Sequence, residues 1–282
     1  MPSERTQGKD VLLQMLARLT QPRILPYYIL FSLYLYLYKP YTHNIENDII
    51  AAVFKALPVW YLAFFVNQKR KAASQNQLNI STISESSSTQ NGASSSQRKG
   101  SDYSDGTTLP DGDNTDSSLK THPDSVRFQS FFMLGLLVSS SGDISLEFKG
   151  CFELGVLFFG IAQILYLYAM KPLRRKSKFA WLVIPLNVVL YSTLITGSLT
   201  NVDIVLAGLY SVLIHSMMFY AISSFESLPS PLTAFSALGA SSFVLSDFLI
   251  GYTHWCAPLV YGEAIIMFSY YIAQVLLTLG VP

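Results

Sequence analysis

The sequence has little charge and few cysteines. Only 13% of its 282 residues are charged, about half the fraction usual for soluble domains, whereas 50% are apolar. The two cysteines, Cys151 and Cys256, are too few for a disulfide scaffold and form no C-x-x-C metal pair. The net charge of +1 gives no electrostatic basis for binding nucleic acid. The composition therefore indicates a membrane protein.

Several patterns that carry catalysis or ligand binding are also missing. None of the four histidines has a partner histidine three or four residues away: His43, His122, His215 and His254. The sequence contains neither a G-x-S-x-G nucleophile elbow nor a glycine-rich phosphate loop. We therefore expect no metal and no cofactor.

Long apolar runs dominate what is present. A transmembrane helix needs about 20 apolar residues, and eight runs are candidates: 24–40, 48–66, 128–147, 151–170, 179–197, 201–222, 232–251 and 258–281. The sequence therefore predicts an all-α, polytopic membrane helix bundle with eight transmembrane helices.

The basic residues predict the orientation of this bundle. All nineteen Lys and Arg lie at or before Lys178, and they concentrate before span 1, between spans 2 and 3, and between spans 4 and 5. By the positive-inside rule these segments are cytoplasmic, so both termini are expected in the cytoplasm. Residues 1–23 are polar and lack the apolar core of a cleavable signal peptide. Residues 67–127 include a serine-rich stretch, which predicts a disordered cytoplasmic loop.

A weak internal repeat connects the two halves. The first unit contains Gly135, Asp143 and Tyr166, and the second contains Gly239, Asp247 and Tyr270 at the same intervals. With four spans per unit, both halves would enter the membrane in the same direction as a parallel repeat.

Three charged residues fall inside predicted spans at a similar depth. Asp143 and Asp247 lie near the outer ends of spans 3 and 7, and Lys55 lies in the outer half of span 2. Burial of a charge in a membrane is costly, so such residues usually face a partner or a cavity. A carboxylate beside a lysine stays ionised, whereas a crowded, desolvated carboxyl group can hold a proton. Helix capping by the aspartates and snorkelling by the lysine are the structural alternative.

The ordered motifs resemble the YhhN-like lysoplasmalogenase family. They are Lys55-Ala-Leu-Pro58, Gly135-x-x-x-Ser139-x-x-Gly142-Asp143, Gly239-Ala240-x-x-x-x-x-Ser246-Asp247 and Tyr270-Tyr271-Ile-Ala-Gln274, the last preceded by Pro258 and Tyr261. The resemblance implies a multipass hydrolase of an internal membrane, such as the endoplasmic reticulum. Such an enzyme cleaves the vinyl-ether bond of lysoplasmalogen to a fatty aldehyde and glycerophosphocholine or glycerophosphoethanolamine.

The resemblance also implies which residues act. Asp143 and Asp247 are expected to be the catalytic carboxylates. The remaining site residues are expected to line the substrate site: Lys55, Ser139, Tyr166, Tyr261, Tyr270, Tyr271 and Gln274. Two positions depart from the family pattern, Gln163 where a histidine is expected and Glu263 where an arginine is expected. A proton-coupled transporter and a non-enzymatic lipid-binding membrane protein remain alternatives, and helix breaks at the membrane midplane would favour transport.

Overall fold

A computed structural model describes residues 2–38, 49–93, 123–170 and 177–282. These residues form nine α-helices and no strand. The helices are α1 (Pro2–Leu19), α2 (Leu25–Tyr38), α3 (Ile49–Ala93), α4 (Pro123–Leu146), α5 (Phe152–Met170), α6 (Val183–Ile195), α7 (Asn201–Ser227), α8 (Pro231–Trp255) and α9 (Gly262–Leu279). Short 3₁₀ turns precede α2 and α6, at Pro22–Ile24 and Ala180–Leu182. The prediction of an all-α membrane bundle is confirmed.

Five helices are long and apolar enough to span a membrane: Ile49–Asn76, Phe152–Met170, Asn201–Ser227, Pro231–Trp255 and Gly262–Leu279. The other three predicted spans correspond to α2, α4 and α6. Helices α2 and α6 have only 14 and 13 residues. Helix α4 has 24 residues, but its serines and Asp143 lower its mean hydropathy. The count of eight spans and the parallel repeat therefore stay predictions.

Helix α3 corrects the predicted start of the serine-rich loop. The sequence places that loop at 67–127, yet α3 continues to Ala93. Residues 67–77 contain Lys, Arg, Ala and Gln, which favour helix. A helix that has already formed in the apolar segment extends through them at little cost. Residues 94–122 of the predicted loop lie outside the described residues.

Two tyrosine hydroxyls join α2, α3 and α9 through backbone carbonyls. Tyr27 Oη donates to the carbonyl of Tyr271 at 2.6 Å, and Tyr271 Oη donates to the carbonyl of Lys55 at 2.7 Å. Both side chains are almost completely buried. A buried tyrosine needs a partner for its hydroxyl, so these bonds restrict how the three helices can rotate against one another.

Helices α7 and α8 each begin with a capping box. Thr200 caps α7 through the backbone N–H of Asp203, whose side chain binds back to Thr200, and Ser230 caps α8 with Thr233 in the same way. Such a reciprocal pair fixes the first turn of a helix. The two boxes therefore define where α7 and α8 begin.

Candidate active site

The Asp143 cluster is a packed group of polar side chains between α4 and α9: Ser139, Asp143, Tyr270 and Gln274. Tyr270 Oη donates to Asp143 Oδ2 at 2.5 Å, and Gln274 Nε2 lies 2.9 Å from both Ser139 Oγ and Tyr270 Oη. Each helix contributes two residues four positions apart, which places them on one face. All four side chains are buried, with Asp143 only 2% exposed.

A buried ion pair lies beside the Asp143 cluster. Lys55 Nζ on α3 contacts Glu147 Oε1 at 2.5 Å, and the two side chains are 10% and 12% exposed. Lys55 also lies within electrostatic range of Asp143. The sequence predicted a lysine beside carboxylates but missed Glu147. Its position four residues after Asp143, directly after the end of α4, was the available signal.

Asp247 lies elsewhere, on the wall of a cavity among α5, α6, α7 and α8. The space in this Asp247 cavity that a water molecule can reach is ≈ 60 Å³, which is room for a few water molecules. Its lining is mostly apolar, as in Leu146, Phe152, Leu194 and Trp255. A hydrocarbon chain would fit here only if the surrounding side chains moved apart.

The two oxygens of Asp247 differ in their surroundings. Oδ2 accepts a hydrogen bond from the hydroxyl of Tyr210 on α7. Oδ1 is buried and has no hydrogen-bond partner among the residues that the structure describes. Sequence reasoning did not find Tyr210, because nothing in an apolar span marks one tyrosine as the partner of a residue 37 positions away.

A wall of aromatic rings separates the two carboxylates. Phe159 lines the Asp247 cavity and packs edge-on against Tyr270, with ring centroids 6.2 Å apart. Phe243 packs against the same tyrosine at 5.7 Å. Phe159 approaches α4 at Gly142, where a Cβ atom would lie 2.9 Å from its ring. Asp143 and Asp247 nevertheless remain within electrostatic range of each other.

Buried polar groups on α5 lie between these two regions. Tyr166 Oη faces Ser139 and Gln274, and the amide of Gln163 faces Tyr210, but neither group reaches hydrogen-bond geometry with any described residue. Tyr166 is held by Gly135, where a Cβ atom would lie 2.4 Å from its ring. Buried polar groups are rarely left without a partner, so this region is suited to water or to polar atoms of a ligand.

The structure therefore assigns the predicted site residues to three places. Lys55, Ser139, Asp143, Tyr270, Tyr271 and Gln274 lie together, Tyr166 lies next to them, and Asp247 faces the neighbouring cavity. Tyr261 lies apart from these residues, and its role in lining the site stays a prediction. It is 67% exposed and adopts a left-handed backbone conformation (φ 57) before α9. It therefore belongs to the connection between α8 and α9.

Within the described residues, no group of three or more His, Cys, Asp or Glu side chains is arranged to hold a metal ion. The carboxylates have hydroxyl, amide and ammonium partners instead. The chemistry available from these side chains is acid–base and electrostatic.

Fold and site together define an integral multi-pass membrane protein with one buried carboxylate, Asp143, and a partly buried one, Asp247, at a mostly apolar cavity. The profile of the YhhN family matches residues 117–281, and the chain belongs to this family. This finding confirms the resemblance seen in the sequence. The family match spans α4 to α9 and therefore includes both aspartates but not Lys55.

Curated relatives carry a functional name. The chain is 32% identical over 172 residues to lysoplasmalogenase TMEM86A of Bos taurus, which covers 57% of this chain and 68% of the relative. It is 30% identical to lysoplasmalogenase TMEM86A of Homo sapiens over 173 residues, with the same two coverages. It is 29% identical over 146 residues to lysoplasmalogenase TMEM86B of Sus scrofa, covering 52% of this chain and 61% of the relative. No solved structure matches the chain significantly.

Proposed function

We propose that this protein is a lysoplasmalogenase, which hydrolyses the vinyl-ether bond of a single-chain phospholipid within the membrane. The names of its relatives support this activity at the level of the family. The observation that carries the proposal is Asp247, a partly buried carboxyl group at a mostly apolar cavity, whose Oδ1 is buried and has no partner among the described residues. Such a site combines apolar surroundings with a group that can exchange a proton.

The reaction needs one proton donor and one water molecule. Protonation of the vinyl-ether carbon that does not bear the oxygen gives an oxocarbenium ion on the adjacent carbon. Water adds to that carbon and loses a proton, giving a hemiacetal, which collapses to the aldehyde and the free glycerol hydroxyl. The proton balance closes within the site, because the group that donates the first proton can accept the one that water releases. Two-carboxylate glycosidases follow similar logic.

Asp247 is the group that we assign to this exchange. Protonated on Oδ1, it donates to the substrate carbon, and as a carboxylate it then accepts the proton from water. Tyr210 holds Oδ2 and thereby orients the carboxyl group. The unpartnered amide of Gln163 and the hydroxyl of Tyr166 are suited to holding the water.

Asp143 acts through its charge, because the rings of Phe159 and Phe243 separate it from the Asp247 cavity. Its carboxylate is held by Tyr270 and lies within electrostatic range of both Lys55 and Asp247. A fixed negative charge in a region of low dielectric favours a cation that forms nearby. We therefore assign Asp143 a positioning and electrostatic role and Asp247 the direct one.

The helices offer no support for transport. Helices α3, α4, α5, α7, α8 and α9 each continue without interruption through their apolar segments. Pro58 lies inside α3, and the helix continues past it. The midplane breaks that would favour a transporter are therefore absent from these six helices.

The test is hydrolysis of a lysoplasmalogen by the purified protein in heavy water. The proposed mechanism predicts that one deuterium is added to the carbon next to the aldehyde carbon. Reducing the aldehyde to its alcohol as it forms prevents further exchange at that carbon. A saturated alkyl-ether analogue should release nothing. Asp203→Asn is a matched control, because Asp203 is buried and caps α7 rather than facing the cavity. Absence of aldehyde release from correctly folded protein would overturn the proposal.

A further inference from the structure

Helix α1 carries three exposed leucines on one side. Leu12, Leu13 and Leu16 are 57%, 63% and 50% exposed. Residues three and four positions apart are neighbours on a helix surface, so Leu12 and Leu13 both adjoin Leu16 and the three form one leucine face. Helix α1 precedes the first predicted span, so this face is not part of a membrane-crossing helix. A cluster of large exposed apolar side chains marks a surface that contacts a partner or lipid.

The side of α1 that packs on the bundle is a different one. Met15 and Leu19, four residues apart, pack against the main hydrophobic core. Each residue turns a helix by about 100°, so Leu16 lies about a quarter turn from Met15 in one direction and Gln14 about a quarter turn in the other. Both Leu16 and Gln14 are exposed. Helix α1 therefore has a packed side, an apolar flank at the leucine face and a polar flank at Gln14.

Two tyrosine hydroxyls hold the end of α1 at the level where the first spans begin. Tyr28 Oη, from the first turn of α2, donates to the carbonyl of Leu19 at 3.1 Å. Tyr61 Oη on α3 donates to the carbonyl of Arg23. Both tyrosines belong to predicted membrane spans. The end of α1 is therefore fixed beside apolar segments of the bundle.

Helix α1 also extends along this end of the bundle. It contacts α8, and Arg18 lies within electrostatic range of Lys69 on α3. Lys69 Nζ donates in turn to the carbonyl of Val281, which follows α9, at 2.8 Å. Helix α1 thus packs where α3, α8 and α9 reach one end of the bundle. A helix in this place has its flanks at the level of the lipid head groups.

The charges near the leucine face are mostly basic. Lys9 is exposed and lies four residues before Leu13, on the same flank, and Arg23 is exposed just after α1. Residues 67–84 of α3 add three basic residues and no acidic one. Asp10 lies on the polar flank. Basic side chains at the ends of spans attract anionic lipid, and a lysine can reach the head groups while its stem lies among apolar neighbours.

We propose that α1 is an interfacial helix whose leucine face enters a membrane surface that contains anionic lipid. The leucines lie beside the acyl chains, Lys9 and Arg23 contact lipid phosphates, and Gln14 faces water. Interfacial helices bury their apolar face about 5–10 Å deep at the boundary between head groups and acyl chains. A stable protein partner would need about 800 Å² of contact on each side, which three leucine side chains do not supply. The inference does not depend on the proposed function.

Spin labels on the two flanks test this position of α1. Leu16→Cys and Gln14→Cys would be labelled in the full chain, with Cys151 and Cys256 replaced by alanine. The protein would be placed in nanodiscs of phosphatidylcholine and phosphatidylserine in equal parts. Oxygen concentrates in lipid and a nickel chelate in water, so we expect the oxygen-to-nickel collision ratio to be severalfold higher at position 16 than at position 14. Both positions are exposed, so both variants should fold.

Two results of this experiment would overturn the inference. Equal collision ratios at the two positions would show that the leucine face lies in water. An immobilised label at position 16 that neither oxygen nor nickel reaches would show that protein, and not lipid, covers the face.

Charge variants test the preference for anionic lipid. Replacing phosphatidylserine by phosphatidylcholine should lower the collision ratio at position 16, because the attraction to Lys9 and Arg23 is lost. Lys9→Gln combined with Arg23→Gln should remove this dependence on lipid. Lys149→Gln is the matched control, because Lys149 is exposed and lies between α4 and α5, at the opposite end of the bundle. Equal ratios in both lipids, or a difference that survives the double variant, would refute the preference.

Discussion

The buried carboxylate of Asp143 and the partly buried carboxylate of Asp247 have different surroundings. Asp143 lies in a tightly bonded cluster, with Tyr270, Ser139 and Gln274 bonded to one another and the Lys55–Glu147 pair alongside. Asp247 has one hydroxyl partner, one unpartnered oxygen and a cavity in front of it. The proposed function accordingly gives Asp143 a supporting role and Asp247 the direct chemical one.

This contrast indicates how a membrane bundle can keep a reactive acid. Hydrogen bonds restrict the side chains of a polar network, whereas a buried group without a partner is costly. The Asp143 cluster joins α4 to α9, although Gln274 Oε1 has no partner among the described residues. The rings of Phe159 and Phe243 pack between this cluster and the neighbouring cavity. Each prediction below tests this division of roles.

The largest expected effect comes from Asp247→Asn. We expect hydrolysis of lysoplasmalogen to fall by about 1,000-fold, within the range for loss of a general acid–base group, with little change in melting temperature. Asp143→Asn should reduce the rate by only about tenfold, because asparagine still accepts the bond from Tyr270 and no proton transfer is lost. Aldehyde release at matched protein amounts measures both. Equal losses of hydrolysis rate in the two variants would contradict the different roles assigned to Asp143 and Asp247.

Lys55→Met tests the ion pair. It leaves Glu147 as a buried, unpaired charge, so we expect a loss of about 3 kcal/mol in the free energy of unfolding. The double variant Lys55→Met with Glu147→Gln should recover most of that loss, since no uncompensated charge remains. Thermal unfolding in detergent provides the comparison, and a double variant as unstable as the single one would contradict the pairing.

A pair of tyrosine variants separates stability from activity. Tyr270→Phe removes the donor to Asp143 inside the cluster, so we expect a loss of about 2 kcal/mol in stability. Tyr210→Phe removes the donor to Asp247 at the cavity, so kcat should fall about tenfold while the melting temperature stays near the wild-type value. Reversed outcomes, with Tyr210→Phe unstable and Tyr270→Phe stable but inactive, would exchange the two roles.

The smallest effect is expected for Gln163→Met. The change keeps the volume and removes an amide that has no partner among the described residues, so stability should remain the same or rise slightly. The rate should fall several-fold if the amide holds the attacking water. Gln163→His, which restores the residue expected from the family pattern, should keep activity. An unchanged rate in Gln163→Met would remove this residue from the site.

Much of the site was predictable because polar residues inside apolar spans are rare. Lys55, Asp143 and Asp247 stand out for this reason, and the resemblance added Tyr270 and Gln274. The rotation of each helix about its axis could not be predicted from the sequence, because an apolar span has no distinct polar face. Sequence analysis therefore expected both aspartates to act together, and it could not predict that the rings of Phe159 and Phe243 lie between them.

The boundaries were less predictable than the helices. The start of the polar loop was read from composition, but Lys, Ala and Gln suit a helix as well as a loop, and α3 continues through them. Tyr210 carried no signal, because tyrosines are common in membrane proteins for reasons of interfacial packing. Contacts between residues far apart in the chain required the structure.

Gly142 influences the width of the Asp247 cavity from the far side of Phe159. Phe159 lies flat against α4 only because Gly142 has no side chain. Any larger residue there would push the ring toward Asp247 and narrow the cavity, although it would touch neither carboxylate. A substitution at one residue behind the wall could thus change the space beside Asp247 while both carboxylates stay in place.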